Sequence, residues 1–143
     1  MHWVPRAVLG LMGAINLARG AIHAFAPDGG AHSIAGLDLG DDSATILSLF
    51  ATLGLQQIVL GLFELYAAAR APHLITLFLA LQTVTTAVSL INLYAWRPLP
   101  VTVPGQPFNV ALFAIQLVAL VMALTARRPA YSPVSWRKRW KPE

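Results

Sequence analysis

The sequence predicts an all-α polytopic membrane protein: four transmembrane helices in an antiparallel bundle, with both termini cytoplasmic. Three observations predict it. The 143 residues are 57% hydrophobic and only 11% charged, against roughly 25% charged in soluble domains. Most of the chain therefore lacks the side chains that a water-facing surface needs. Four apolar runs, about 4–26, 44–69, 72–96 and 108–126, each reach the roughly 20 residues that cross a bilayer as a helix. Lys and Arg, finally, are spread unevenly over the segments between those runs. Strands are disfavoured because the runs show no period-two alternation and lipid offers no partner to a free backbone.

The first run contains Ala24-Phe25-Ala26, which has the small-x-small pattern of a signal-peptide cleavage site. Pro27 would follow that cut directly, and Asn16, Arg19 and His23 interrupt the apolar region, so the run is expected to stay as a span. Pro27-Asp28-Gly29-Gly30 is turn chemistry. Asp41, Asp42 or Ser43 can cap the second helix, where a carboxylate also suits the helix dipole. Ala71-Pro72 leaves so short a turn that the second and third helices are expected to be antiparallel neighbours. Pro98, Pro100, Pro104 and Pro107 are expected to keep the third loop non-helical. Trp3, Tyr66, Tyr94, Trp96, Trp136 and Trp140 lie near span ends or in the tail, as an aromatic belt would.

Orientation follows from the cations. Arg6 precedes or opens the first span, Arg70 sits at the second turn, and residues 127–143 carry six cations against Glu143. The loop at about 27–43 has no Lys or Arg and holds Asp28, Asp38, Asp41 and Asp42. An N-in, C-in arrangement satisfies the positive-inside rule everywhere except at Arg97, and a four-span count returns both ends to the same side, so count and charge agree.

Polar residues fall in stripes. Gly13, Asn16, Gly20 and His23 step by three, four and three, as do Gly54, Gln57, Gly61 and Glu64. Gln82, Thr85, Ser89 and Asn92 repeat the step in the third run, and Asn109 and Gln116 follow in the fourth. That spacing keeps one helix face. Small residues there let backbones approach, and amides bond across the contact. The stripes therefore read as faces turned toward neighbouring helices, with Gln56, Gln57, Thr85 and Gln116 as central polar packing. Because the first two helices run antiparallel, matching letters of their stripes do not lie opposite each other. At about 1.5 Å rise per residue, Arg19 and Glu64 are expected roughly 15–20 Å apart in depth. Glu64 then lies near the inner face, an ion-pair candidate for Arg6, Arg70, His73, Arg127 or Arg128. Arg19 has no carboxylate in its own span, and a cation there costs at least a few kcal/mol unless it snorkels or pairs. Asp28, Asp38, Asp41 or Asp42 could fold over it. An outward-facing polar pocket would draw on Asn16, Arg19, His23, Ser89, Asn92 and Asn109.

The chain has no cysteine, which excludes disulfides, thiol redox chemistry and cysteine-held metals. The four histidines, at 2, 23, 32 and 73, lack close ligand spacing, so no metal site is expected. No Walker motif, nucleotide-binding glycine loop, HExxH or GxSxG occurs, so no cofactor is expected. The net charge of +4 is concentrated in the tail, so it does not point to nucleic acid. Arg137, Lys138, Arg139 and Lys141, flanked by Trp136 and Trp140, instead suit anionic lipid head groups at the membrane surface.

LARGAIHAFAPDGGAHSIAGLDL and GLQQIVLGLFELYAAAR resemble small four-span bacterial membrane proteins. More loosely, Arg6-x-x-x-Gly10 and the glycine-rich first-span face are similar to the DoxX-like group. That resemblance implies a four-helix bundle in the bacterial inner membrane and brings no catalytic residues; the redox links suggested for some DoxX-like proteins find no cysteine here. Three readings follow: a non-catalytic bundle, as an oligomer or accessory subunit; a small-molecule or lipid binder or carrier using the Arg19–His23 pocket; or a membrane enzyme acting on a lipid.

Overall fold

Each apolar run folds as a helix. The structure, a computed structural model, describes residues 3–99 and 102–126. The main helices are α1 (Trp3–Phe25), α2 (Ser43–Arg70), α3 (Ile75–Ile91) and α4 (Gly105–Ala126). Short 3₁₀ turns at Gly40–Asp42 and Pro72–Leu74 lead into α2 and α3, and a π-helical turn at Asn92–Trp96 continues α3. Among the described residues there is no strand. With their flanking turns, all four helices are long and apolar enough to cross a membrane.

The ends of the helices follow local chemistry with two departures from the sequence reading. Pro107 lies inside the first turn of α4, which begins at Gly105. A first-turn proline gives up an N–H that has no intrahelical partner anyway, so it starts a helix as readily as it blocks one. Asp42 occupies the N-cap of α2 but makes no side-chain cap bond. The 3₁₀ turn before it continues directly into the helix, and the Ser43 N–H bonds to the Gly40 carbonyl.

The tightest contact in the bundle is between α1 and α2, and glycine makes it possible. A Cβ on Gly20 would lie 2.6 Å from the Gly54 oxygen, and one on Gly54 would lie 2.6 Å from the Gly20 oxygen. The same holds one helical repeat away, where a Cβ on Gly61 would lie 2.7 Å from the Gly13 oxygen. No side chain fits there. The stripes do pair in reverse order, Gly13 with Gly61 and Gly20 with Gly54. α3 packs mainly on α4, while α1 touches all three other helices. α2 and α3 meet only sparsely despite the short link between them.

The half of the bundle nearest the start of α1 has an apolar core of Leu9, Ala67, Ala68, Ile75, Leu79, Ala119 and Ala123. Exposed Leu, Val, Ile and Phe side chains cover the outside, the arrangement expected where lipid is the solvent. Trp3, Tyr66, Tyr94 and Trp96 are exposed near helix ends, as an interfacial belt requires. The tail residues Arg127, Arg128, Trp136, Arg137, Lys138, Arg139, Trp140 and Lys141 lie outside the described residues.

Candidate functional site

Beyond the apolar core the interior becomes polar. Gln116 of α4 is 1% exposed and donates from Nε2 to the Met12 sulfur at 3.0 Å. Asn16 of α1 donates from Nδ2 to Glu64 Oε2 of α2 at 2.7 Å, and both residues are buried. Among the described residues the hydrogen-bond partner of Glu64 is thus Asn16 and not Arg6, Arg70 or His73, while Arg127 and Arg128, also expected near it, lie outside the described residues. Two features of helix geometry explain the difference. α2 continues six residues beyond Glu64 to Arg70, which sets the carboxyl about 9 Å inside the helix end. Side chains lean toward the N-terminus of their own helix, so on antiparallel helices Asn16 and Glu64 lean toward each other. Arg6, one of the expected partners, donates instead from Nη2 to the Ala69 carbonyl at 3.0 Å.

Next to this pair, toward the far end of α1, is a cavity of about 170 Å³. All four helices contribute. α1 supplies Asn16 and Arg19, α2 supplies Gln57 and Leu60, and α4 supplies Asn109. α3 forms the longest wall, from Gln82 through Thr85, Thr86 and Ser89 to Leu90, with Leu93 of the π-helical turn beyond it. Thr85 and Ser89 on this wall are exposed, so the cavity is open along α3. Liquid water takes about 30 Å³ per molecule, so the space equals roughly five or six waters or one small head group.

Among the described residues, Arg19 is the only charged group on the cavity wall. Its Nη1 donates to Asn109 Oδ1 at 2.9 Å, which leaves most of the guanidinium's five donors for other partners. None of the loop aspartates covers it. Asp28 is used locally: its Oδ1 accepts from Gly30 N at 3.0 Å and its Oδ2 from Ser33 N at 2.6 Å. Those two bonds hold the Asp28 carboxyl down to about 2, well below its ordinary range. The Oε1 atoms of Gln57 and Gln82 are buried with no hydrogen-bond partner among the described residues. The cavity wall thus carries one cation and, among the described residues, two glutamines each with an unpartnered oxygen.

The structure sorts the sequence-predicted pocket residues. Asn16, Arg19, Ser89 and Asn109 line the cavity, and Gln57 and Thr85 join them. His23 does not. Its Nδ1 bonds with the Gly29 carbonyl at 2.8 Å, and its ring meets Phe50 edge-on at 5.4 Å. The turn at Gly29 and Gly30, both with positive φ, brings that carbonyl back over the end of α1. Asn92 begins the π-helical turn and its carbonyl accepts from Arg97 N at 2.8 Å; it is not on the wall. Gln56 is exposed rather than central, because one residue along a helix turns the side chain by about 100°. Gln82 and Thr86 were missed as pocket residues, although Gln82 lies three residues before Thr85 and Thr86 three before Ser89, a spacing that carried the signal.

Among the described residues, no group of three or more His, Asp or Glu side chains is placed to hold a metal ion. No family model, curated protein or solved structure matches the chain.

Proposed function

We propose that this chain is a non-catalytic membrane protein that binds a small hydroxylated anion in the cavity beside Arg19. The observation that carries this reading is a cation inside the bundle with no carboxylate partner among the described residues and with donors to spare. Arg suits carboxylate and phosphate groups because its planar fork can make two parallel bonds. The unused Gln57 and Gln82 oxygens suit hydroxyl donors on the same ligand. Two sources share that chemistry: a free hydroxy acid, and the glycerol phosphodiester head group of an anionic lipid entering beside Thr85 and Ser89.

The test uses the purified protein and one probe for each source. Delipidated protein is titrated with glycerate by calorimetry, and phosphatidylglycerol retention is followed by native mass spectrometry. Glycerate binding assigns a soluble ligand; retained lipid without glycerate binding assigns the head group. Charge-assisted hydrogen bonds are worth about 1.5–3 kcal/mol, so Arg19→Gln is expected to weaken whichever ligand binds by roughly ten- to a hundredfold. Equal binding by wild type and Arg19→Gln rejects the site.

The asymmetry of Lys and Arg supports placing the protein in a bacterial inner membrane with both termini cytoplasmic. Membership of the DoxX-like group rests on the glycine-rich first helix and the Arg6–Gly10 spacing. A homo-oligomer or a partner membrane subunit is supported by Gln56, whose exposed amide on α2 is the kind of group that bonds between helices in lipid. The basic tail is assigned to anionic lipid head groups and not to nucleic acid.

A further inference from the structure

We infer that Glu64 is a proton site coupled to the Arg19 cavity, so that the anion enters together with a proton. This inference rests on the binding reading above and deepens it. Glu64 is 0% exposed. One of its oxygens accepts from Asn16, and the other, Oε1, has no partner among the described residues. Asn16 is also on the cavity wall, so a single side chain joins the carboxyl to the anion site.

The charges in the surrounding elements are few. α3 and α4 contain no ionisable residue. α1 supplies Arg6 and Arg19 and, close to its far end, His23. α2 supplies Glu64, then Tyr66 and Arg70 toward its C-terminus. The 3₁₀ turn before α3 adds His73. Arg6 is turned to the Ala69 carbonyl and His23 to the Gly29 carbonyl. Arg19 and Glu64 are thus the two opposite charges that α1 and α2 carry into the bundle interior. An anion bound at Arg19 cancels the cation and leaves an ionised Glu64 uncompensated in a low-dielectric interior. A proton on Glu64 removes that charge.

The size of the coupling follows from the glycine register. Pairing Gly13 with Gly61 and Gly20 with Gly54 puts Arg19 roughly 12–14 Å from Glu64 along the bundle. At an effective dielectric of about 20, two charges at that distance change each other's binding by about tenfold. Linkage makes the effect mutual: a proton on Glu64 tightens the anion site, and the anion tightens the proton.

The experiment is glycerate titration of the purified protein between about pH 5 and pH 8, a range in which the probe's own carboxylate stays ionised. It is repeated in buffers of different ionisation enthalpy to count protons. Phosphatidylglycerol nanodiscs replace glycerate if the lipid proves to be the ligand. Wild type is expected to bind about tenfold tighter at the acid end and to take up protons on binding. Glu64→Gln keeps an acceptor for Asn16 and cannot ionise; it is expected to bind tightly at every pH with no proton uptake. His23→Gln is expected to keep the wild-type uptake. Proton uptake that persists in Glu64→Gln, or wild-type binding that is independent of pH, overturns the coupling while leaving the anion site standing. Absence of binding in wild type with either probe overturns both readings.

Discussion

Three side chains set the character of the interior: Arg19, Asn16 and Glu64. Asn16 is the hinge of this group because it lines the cavity and also satisfies Glu64. Replacing it with Leu removes the one donor that the buried carboxyl has among the described residues. An orphaned buried polar group costs about 1–3 kcal/mol, more when charged. Asn16→Leu is therefore expected to lower the midpoint of detergent unfolding, and Asn16→Leu with Glu64→Leu to recover part of the loss, because removing both partners leaves nothing unsatisfied. A double variant no more stable than the single one argues against the contact. Asp28 makes a separate prediction outside the membrane. Its folded value, about 2, lies below the ordinary 3.8 because Ser33 and Gly30 donate to the ionised form. The stabilisation is thus fully present above about pH 4 and lost as pH falls through about 2. Carbon-detected NMR of the Asp28 carboxyl is expected to titrate near that lower value, and Asp28→Asn to abolish the signal and speed amide exchange at Gly30 and Ser33. Titration near the ordinary value contradicts the loop geometry. Of these residues, Arg19 was legible as unusual from sequence, since a cation inside a span is rare. Its partner was not. Asn109 is 90 residues away in the chain, and only the packing of α4 against α1 brings it to Arg19.

At the level of helices, period and spacing carried most of the information. A three-four-three repeat of glycines and amides specifies which face of α1 meets α2, and the glycine contacts bear that face out. Substitutions along one helix separate close packing from propensity. A Cβ at Gly20 meets the Gly54 oxygen at 2.6 Å, whereas one at Gly10 has only the Ala68 Cβ at 3.8 Å. Gly20→Ala forces the backbones apart and is expected to cost about 1–3 kcal/mol, the usual range for overpacking. Gly10→Ala is expected to be neutral or to stabilise by up to about 1 kcal/mol, because alanine favours the helix. Thermal unfolding in detergent checks both, and equal midpoints for the two variants would count against the register. The α3 stripe was harder to read. Its spacing suggested the bundle centre, but α3 buries Ile75, Thr76, Leu79 and Thr83, leaving Thr85 and Ser89 at the cavity edge. Spacing fixes which residues share a face; it does not say how that face is rotated about the axis. The helix beginning at Gly105 carries the same lesson for proline. Pro107 was legible as a boundary, and only the start of the helix decides on which side of that boundary it falls.

Over the whole molecule, hydropathy made the number of spans legible, while the order of packing was not. The link through Ala71 and Pro72 makes α2 and α3 neighbours in sequence, yet α2 packs chiefly on α1, because paired glycines give those two helices their closest approach. The looser meeting of α2 and α3 is where the cavity lies. Topology is the property of the whole that a direct experiment can read. Four antiparallel helices put the link near His73 on the same side as Trp3, and the loops at His32 and Leu99 on the other. Natural cysteine is absent, so single introduced cysteines report without background. His32→Cys and Leu99→Cys are expected to react with an impermeant maleimide from the same side of sealed vesicles, and Trp3→Cys only from the opposite side. Charge supplies the expectation of which side is which. Arg6, Arg70 and the basic tail outweigh the lone exception, Arg97, and cations hold the cytoplasmic side. In intact cells His32→Cys and Leu99→Cys are therefore expected to label, and Trp3→Cys to label only after permeabilisation. Labelling of His32→Cys and Leu99→Cys from opposite sides would refute the four-span arrangement. The reverse pattern in intact cells would keep the arrangement and invert the orientation, moving the Arg19 cavity from the external half of the membrane to the cytoplasmic half.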